Sequence, residues 1–409
     1  MNVAIRSLPA WPDRAPADTA GAGALACVEI HQDMAAARTA WQRLEREDAL
    51  LSPYQRYGWA SLWQSHVGER RGAVPFILVG SNSAGTPLFL WPFVRMRAGN
   101  LTVVRFFGGK HSNINVALWN RDFAATFGPD AMRAILADIA PASHGIDLFM
   151  LINQPATWDG IANPFLHLPH QRAPDDLHQL SINGPADEHE LKARIQAIIR
   201  SRLRTKQRKL QKLDGYRYLR ATAAEDVDRH LDAFFAQKAA HLSAQGLPNV
   251  FAEPGIEAFL RAACHDDLAT GRPQIEIHAL EGAGEVLAMF AGVADQRRYS
   301  SMFNSYTLSE NARQSPGLVL LTHLVSSCIG RKLPSFDLGV GDARYKRVLC
   351  KEVLPLYDGY WPVTLRGYAA ACTARPVAAL KRLIKSTPVA WNTIQSVRRR
   401  LAGRNGDDA

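Results

Sequence analysis

The sequence predicts a mixed α+β protein built from two similar units. Three observations lead there. The chain has 409 residues, enough for two or three domains of ordinary size. Apolar residues make up 47% of it, which is ample for buried cores, and the 21% charged fraction is that of a soluble composition. Each half also runs in the same order: helix, antiparallel meander, helix, strand. No sequence identity is visible between the halves, so the duplication is one of architecture.

Residues 1–24 are rich in Ala, Pro, Gly and Asp and lack an apolar run behind their positive charge. They read as a disordered lead-in and not as a secretory signal. The first unit is expected over 25–184. Residues 34–68 have helical spacing, with a restart at Ser52-Pro53. VPFILVG and PLFLWPFVRMR flank SNSAGT, a hairpin-type connection, and LTVVRFFGG follows as a third strand. GPDAMRAILADIAPAS predicts a helix with Pro129 near its start, and IDLFMLIN a buried strand. A Pro-, His- and Asp-rich connector runs from Gln154 to about Gly184.

The second unit is expected over 185–362. Residues 188–213 predict a basic helix with a partial apolar stripe. YRYLRAT is a strand, and two helices follow over 224–245 and 254–269. IEIHALEG, EVLAMFAGVAD and RRYSSMFNSYT form the meander. ENARQSPG is a loop, 317–331 a helix and 335–340 a strand. A basic amphipathic tail occupies 363–409.

The net charge of +10 is unevenly spread. Nine Lys or Arg and no acid fall within 192–212, and nine more against two Asp within 360–409. The rest of the chain is net acidic, so any polyanion partner is expected at these two segments. No apolar run reaches the ~20 residues needed to span a bilayer. Cys27, Cys264, Cys328, Cys350 and Cys372 are scattered and lack a C-x-x-C spacing, which argues against a disulfide framework and a zinc site. A cytoplasmic location is the simplest expectation.

Several motifs fail on context. SFDLGVGDARYKR, at 335–347, approaches the glycine turn of methyltransferases, but only 67 residues follow Asp342, too few for the remaining βα units. FFGGKHSN lacks the upstream glycine of a phosphate loop and has His111 where Ser or Thr belongs. His167, His170, Asp175, Asp176 and His178 sit in a proline-broken connector with no partner cluster, so no metal is expected.

More informative is ENARQSPGLVLLTHLV, at 310–325. A strand ends, the chain turns through Arg313, Gln314, Ser315, Pro316 and Gly317, and an apolar helix begins. Free amides and the helix dipole make such a start an anion site, to which Arg313 adds charge.

The order of meander, anion turn, apolar helix and strand resembles the core of the GNAT acyltransferase fold. There the pyrophosphate of an acyl-CoA lies on a Gln/Arg-x-x-Gly-x-Gly/Ala loop. Gln314 and Gly317 match that loop, with Leu318 next, and Val319 departs from it. SRLRTKQRKLQKLDGYRY, SPGLVLLTHLV and FDLGVGDARYKR together resemble the CelD-like (BioF2-like) acetyltransferase group of bacterial cellulose and exopolysaccharide production, as does SPYQRYGWASLW in the first half. That group is related to the Fem-type aminoacyl transferases, which carry two GNAT-like units. The resemblance spans roughly residues 35–360.

It implies two GNAT-like units and an acetyl-CoA or other acyl-CoA donor, with Arg313, Gln314, Ser315, Gly317 and Leu318 holding the donor. Acyl transfer needs a base, a stabilised oxyanion and a proton for the leaving thiolate. The resemblance points to the Asp-x-x-Tyr-Lys cluster: Asp342 as base or anchor, Tyr345 as proton donor, Lys346 as the neutralising charge. His241 is the base candidate outside it. Tyr299, Asn304, Tyr306 and Asp337 are the candidate acceptor contacts; core packing is the default for the first three, and Asp337, inside the apolar strand, has bonding to the backbone or orienting Lys346 as its alternative. Expected partners are a small-molecule or saccharide acceptor and, through 376–402, a weak contact with the inner-membrane surface, the same apolar stripe being equally expected to dock on the body. Charged tRNA is a less favoured donor, DNA is not expected, and a non-catalytic accessory subunit of a polysaccharide synthase is the remaining alternative.

Overall fold

A computed structural model describes residues 3–4, 23–140, 142–182, 201–341, 344–350 and 352–386. Its strands are β1 (Val3–Ala4), β2 (Leu25–His31), β3 (Val74–Asn82), β4 (Pro87–Ala98), β5 (Leu101–Phe106), β6 (Leu118–Trp119), β7 (Leu148–Pro155), β8 (Thr157–Trp158), β9 (Ile161–Ala162), β10 (His170–Arg172), β11 (Leu177–Ser181), β12 (Arg217–Arg220), β13 (Glu276–Gly282), β14 (Glu285–Ala294), β15 (Arg298–Tyr306), β16 (Ser335–Val340), β17 (Glu352–Leu354) and β18 (Leu356–Pro362). Its helices are α1 (Met34–Arg46), α2 (Tyr57–Trp63), α3 (Arg121–Thr126), α4 (Pro129–Ile139), α5 (Ser201–Leu210), α6 (Ala224–Ala244), α7 (Ile256–His265), α8 (Pro316–Gly330), α9 (Arg344–Leu349) and α10 (Leu365–Ser386). The mixed α+β class and the two-unit plan stand as expected, each unit with its own sheet.

The first unit combines the chain up to Pro174 with Pro355–Arg382. Its sheet runs β1-β2-β3-β4-β5-β7-β18-β10, with β6 also on β4. SNSAGT does close the β3–β4 hairpin: the Asn82 carboxamide oxygen accepts from the Ala84 and Thr86 amides at 3.1 and 2.9 Å. Alternating aromatic residues of β4 build the core, where Trp91 meets Phe165 at 4.9 Å between ring centres. The Ser-Pro restart is a buried polar plug before a short helix. Ser52 donates to the Ile114 carbonyl at 2.9 Å, and the Gln55 amide to the Asn115 side chain at 3.0 Å. FFGGKHSN is a strand end: Gly108 has φ +83°, and a Cβ there would press on the Trp59 ring at 2.6 Å.

Three expectations on boundaries change. Val3–Ala4, inside the expected disordered lead-in, pair with Ile30 and Glu29 of β2; the rest of that segment up to residue 22 lies outside the described residues. The 154–184 connector contains β8 to β11. Residues 356–362, assigned to the second unit from the sequence, pair with β7 and β10 of the first. Tyr360 is buried there among Val103, Leu148 and Ala371, a partner set that no local pattern reveals.

The second unit takes Asp175–Leu354 and the end of α10 from Leu383. Its sheet order is β12-β13-β14-β15-β16-β11-β17. Ala283 and Gly284, both at positive φ, make the two-residue turn between β13 and β14. The chain then crosses through α8 to place β16 parallel to β15. Val319, Leu320, Leu321, Leu324, Val325 and Cys328 form the buried face of α8, the aliphatic ones each worth roughly 2 kcal/mol relative to exposure. β13 carries inward charges that are all matched. Burial would raise the Glu276 carboxyl, but bonds from His278 and from Arg331 at 2.6 and 2.9 Å hold it at about 2.

Two local irregularities shape one end of this sheet. β15 holds a bulge, with Ala291 opposite Phe303 and Gly292 opposite Ser301, so Met302 is the extra residue. A Cβ on Gly292 would strike the Ser300 carbonyl and the Tyr299 ring. β15 and β16 pair only from Arg298–Ser335 to Ser300–Asp337. Beyond that point each strand runs on without the other as partner, and a wedge opens between them.

Candidate functional site

The wedge and the start of α8 are the two parts of the site. Ser315, in the left-handed region at φ 53°, ends a short 3₁₀ turn over Glu310–Gln314 and caps α8. Pro316 follows at the first helical position, where its missing N–H costs nothing. The Leu318 and Val319 amides already donate to the Ser315 carbonyl at 3.0 and 3.2 Å. That leaves the Gly317 amide as the first-turn donor for a ligand, and a Cβ on Gly317 would meet nothing within 4 Å. Arg313 and Leu318 are exposed, and Gln314 and Ser315 are half-buried. The five expected donor residues therefore do lie on one turn, though with fewer open amides than a regular helix start offers.

A residue that the sequence did not single out completes this turn. Lys206, on α5, donates from Nζ to the Ser315 hydroxyl at 2.7 Å. Leu203 and Leu210 anchor α5 to the core that α8 covers, which brings Lys206 across. The first turn of α8 has no acidic residue. An ammonium held at the positive end of a helix beside Arg313 is a site short of negative charge. The signal in the sequence was the basic run itself, which could not say which of its cations turns inward. Arg204, Arg208 and Lys209 stay exposed.

At the wedge, the Asn304 amide donates to the Tyr345 hydroxyl at 3.5 Å, joining β15 to α9. Burial pushes the Tyr345 phenol up, so it stays protonated. Further along β15, the His241 ring packs on Tyr306 at 4.4 Å between centres. Burial lowers the His241 imidazole, the Gln237 carbonyl offsets this in part, and the Lys238 charge lowers it further. His241 is thus neutral near pH 7. Lys238 was also missed: half-buried, it donates to the Asn304 carbonyl at 3.2 Å, and nothing in its sequence context marks it.

Three expectations are corrected. Tyr299 lines no groove: it is fully buried, stacked on Phe336 at 6.0 Å between ring centres and edge-on to His278. The bulge after it brings Asn304, in place of Phe303, onto the face of Tyr299 at the wedge end of the strand. Asp337 is also buried, accepting at Oδ1 from the Ser300 hydroxyl at 2.8 Å and the Gly339 amide at 2.9 Å. Lys346 is buried as well and donates to the Gly339 and Val340 carbonyls at 3.3 and 2.9 Å. Asp337 therefore holds the Gly339 amide and Lys346 its carbonyl, with that residue at φ 72°, and together they fix where β16 ends. Asp342 lies outside the described residues.

The connector histidines bond backbone: His167 with the Phe127 carbonyl at 3.0 Å, His170 with the Leu168 carbonyl at 2.8 Å. No group of three or more metal-capable side chains occurs among the described residues. Likewise, no helix among them is long and apolar enough to cross a membrane.

Residues 199–347 match the family model described as the acetyltransferase (GNAT) domain. This stretch holds α5, the α8 turn, the wedge and α9, so the match to a GNAT-type acetyltransferase domain falls on the second unit. Among solved structures, FemX is similar over 80% of this chain and 96% of its own, at 8% identity and a TM-score of 0.55. At that identity the likeness speaks for the fold alone. A conserved protein of unknown function from Bacteroides thetaiotaomicron covers 81% of this chain and 98% of its own at 9% identity and a TM-score of 0.49. A tandem GNAT protein from the clavulanic acid biosynthesis pathway covers 82% and 99% at 9% identity and a TM-score of 0.40. No curated protein matches the sequence.

Proposed function

We propose that this chain transfers an acyl group from acetyl-CoA or another acyl-CoA to an amine or hydroxyl of a small-molecule or saccharide acceptor. The setting we infer is bacterial envelope or exopolysaccharide biosynthesis, cellulose included. The observation that carries this reading is the unbalanced positive charge of Lys206, Arg313 and the α8 start around the open face of Gly317. A donor phosphate balances that charge, and its thioester arm then follows the wedge between β15 and β16.

In the reaction the acceptor nitrogen or oxygen attacks the thioester carbonyl. Its proton passes to Asp342 or to the neutral His241. The C–S bond breaks, and the thiolate takes the proton of Tyr345. Lys346 serves this indirectly, by holding the strand end that leads into α9.

The test is calorimetric titration of the full chain with acetyl-CoA. Binding that weakens at least ten-fold in Lys206→Ala and Gly317→Asp supports the reading, and absence of binding rejects it. The exposed Arg204, Arg208 and Lys209 favour one second reading, aminoacyl transfer from charged tRNA. Steeply salt-dependent tRNA binding without acetyl-CoA binding selects that instead. Binding of acetyl-CoA without turnover on any acceptor selects the accessory-subunit alternative.

A further inference from the structure

α10 has two unlike faces. Its inner face is made of small residues: Gly367, Ala371 and Ala378 are buried, and a Cβ on Gly367 would strike the Asp147 backbone. Arg375 and Arg382 fasten it by donating to the Tyr360 and Ala173 carbonyls at 3.3 and 2.9 Å. Pro376 does not break the helix; it is exposed, on the side where lost backbone bonds are replaced by water. The outer face carries Val377, Leu380 and Leu383 at 50, 56 and 62% exposure. Steps of three residues place them on one stripe, roughly opposite Ala371 and Ala378. Single exposed leucines are ordinary, but a contiguous stripe marks a contact surface.

Charge identifies the occupant. Over Leu365–Ser386 the sequence has five Lys or Arg and no Asp or Glu. Beyond the described residues, Trp391 and Arg398-Arg399-Arg400 extend the same composition. Arg366, Arg375 and Arg382 are bonded to carbonyls of the body, which leaves the exposed Lys381 beside the stripe; a second copy of this helix would set that cation and the net charge of +5 against their own likeness, and like charges oppose such a pairing. We propose that the outer face of α10 docks on an anionic lipid surface, with Val377, Leu380 and Leu383 entering the headgroup boundary and Lys381 reaching lipid phosphates. Apolar insertion and attraction to anionic lipid reinforce each other in this geometry.

Co-sedimentation of the full chain with vesicles tests this, using phosphatidylcholine alone and phosphatidylcholine with 30% phosphatidylglycerol. The chain should bind the anionic vesicles at least ten-fold more strongly and lose most of that binding in high salt. Leu380→Glu/Leu383→Glu should abolish binding without changing the circular dichroism spectrum, since both side chains are mostly in water. Lys381→Glu alone should weaken it about five-fold or more. Equal binding to both vesicle types, binding that survives the double substitution, or a concentration-dependent dimer that the double substitution dissolves would each overturn the proposal.

Discussion

Asp337→Asn isolates the energetic role of the group at the mouth of the wedge. The carboxyl is wholly buried. Burial pushes it up to about 6, against the bonds from Ser300 and Gly339 and the charges of Arg298 and Lys346. Oδ2 has no hydrogen-bond partner among the described residues. Because the folded value lies above the unfolded one, the folded state binds the proton more tightly. The ionised form is therefore a cost, fully present above the folded value and relieved as the pH falls toward 4. From 3.8 to about 6, the cost changes by about 2 kcal/mol between pH 4.5 and 7.5, roughly 30-fold in an opening equilibrium. Asparagine keeps an acceptor for Ser300 and Gly339 and removes the titration. No tryptophan lies within 175–354, so tryptophan fluorescence does not report on β15 and β16. Hydrogen exchange of peptides from 298–306 and 335–340, corrected for intrinsic rates, does. Native protection should fall by that factor from pH 4.5 to 7.5 relative to the Asn variant. Parallel pH profiles for the two proteins would show that the carboxyl is not held in its strained ionised form, and the reasoning would fail.

Three further outcomes are expected at the site. Tyr345→Phe should lower kcat with acetyl-CoA about 10²-fold while KM changes little, because the phenol is asked only for a proton to the leaving group; a rise in KM alone contradicts that role. If His241 is the base, kcat/KM should have an acid limb below pH 6.5, since burial lowers this imidazole, and His241→Gln should remove the limb; an unchanged profile assigns the step to Asp342. Gly292→Ala should cost about 2 kcal/mol or more, because its Cβ meets the Ser300 carbonyl and the Tyr299 ring. The same exchange peptides should open faster by at least ten-fold, and unchanged protection would mean the bulge relaxes freely.

The amino-acid sequence alone determined the order of the longer helices and strands, because periodicity and turn chemistry are local, and left out the strands β8 to β11, β17 and β18. SNSAGT closes the β3–β4 hairpin, the meander of the second unit is continuous, and Ser315-Pro316-Gly317 starts a buried helix. The turn around Ser315 was legible for the same reason: all its members are neighbours in sequence. Other features depended on partners far along the chain. β18 joined the first sheet because β7 and β10, with the whole second unit between them and it in sequence, offered it hydrogen bonds on both sides. Asn304, and not Phe303, came onto the face of Tyr299 because one extra residue at Met302 reversed the alternation of β15. Lys206 was chosen from a run of nine cations only when Leu203 and Leu210 docked α5 on the core. Lys346 and Asp337, which looked like chemistry in the sequence, became the two halves of a clamp on Gly339 once β16 and α9 were folded together. A sequence states which groups are available, but hydrogen bonds and burial are short-ranged in space, so tertiary contact decided which of those groups act and which support.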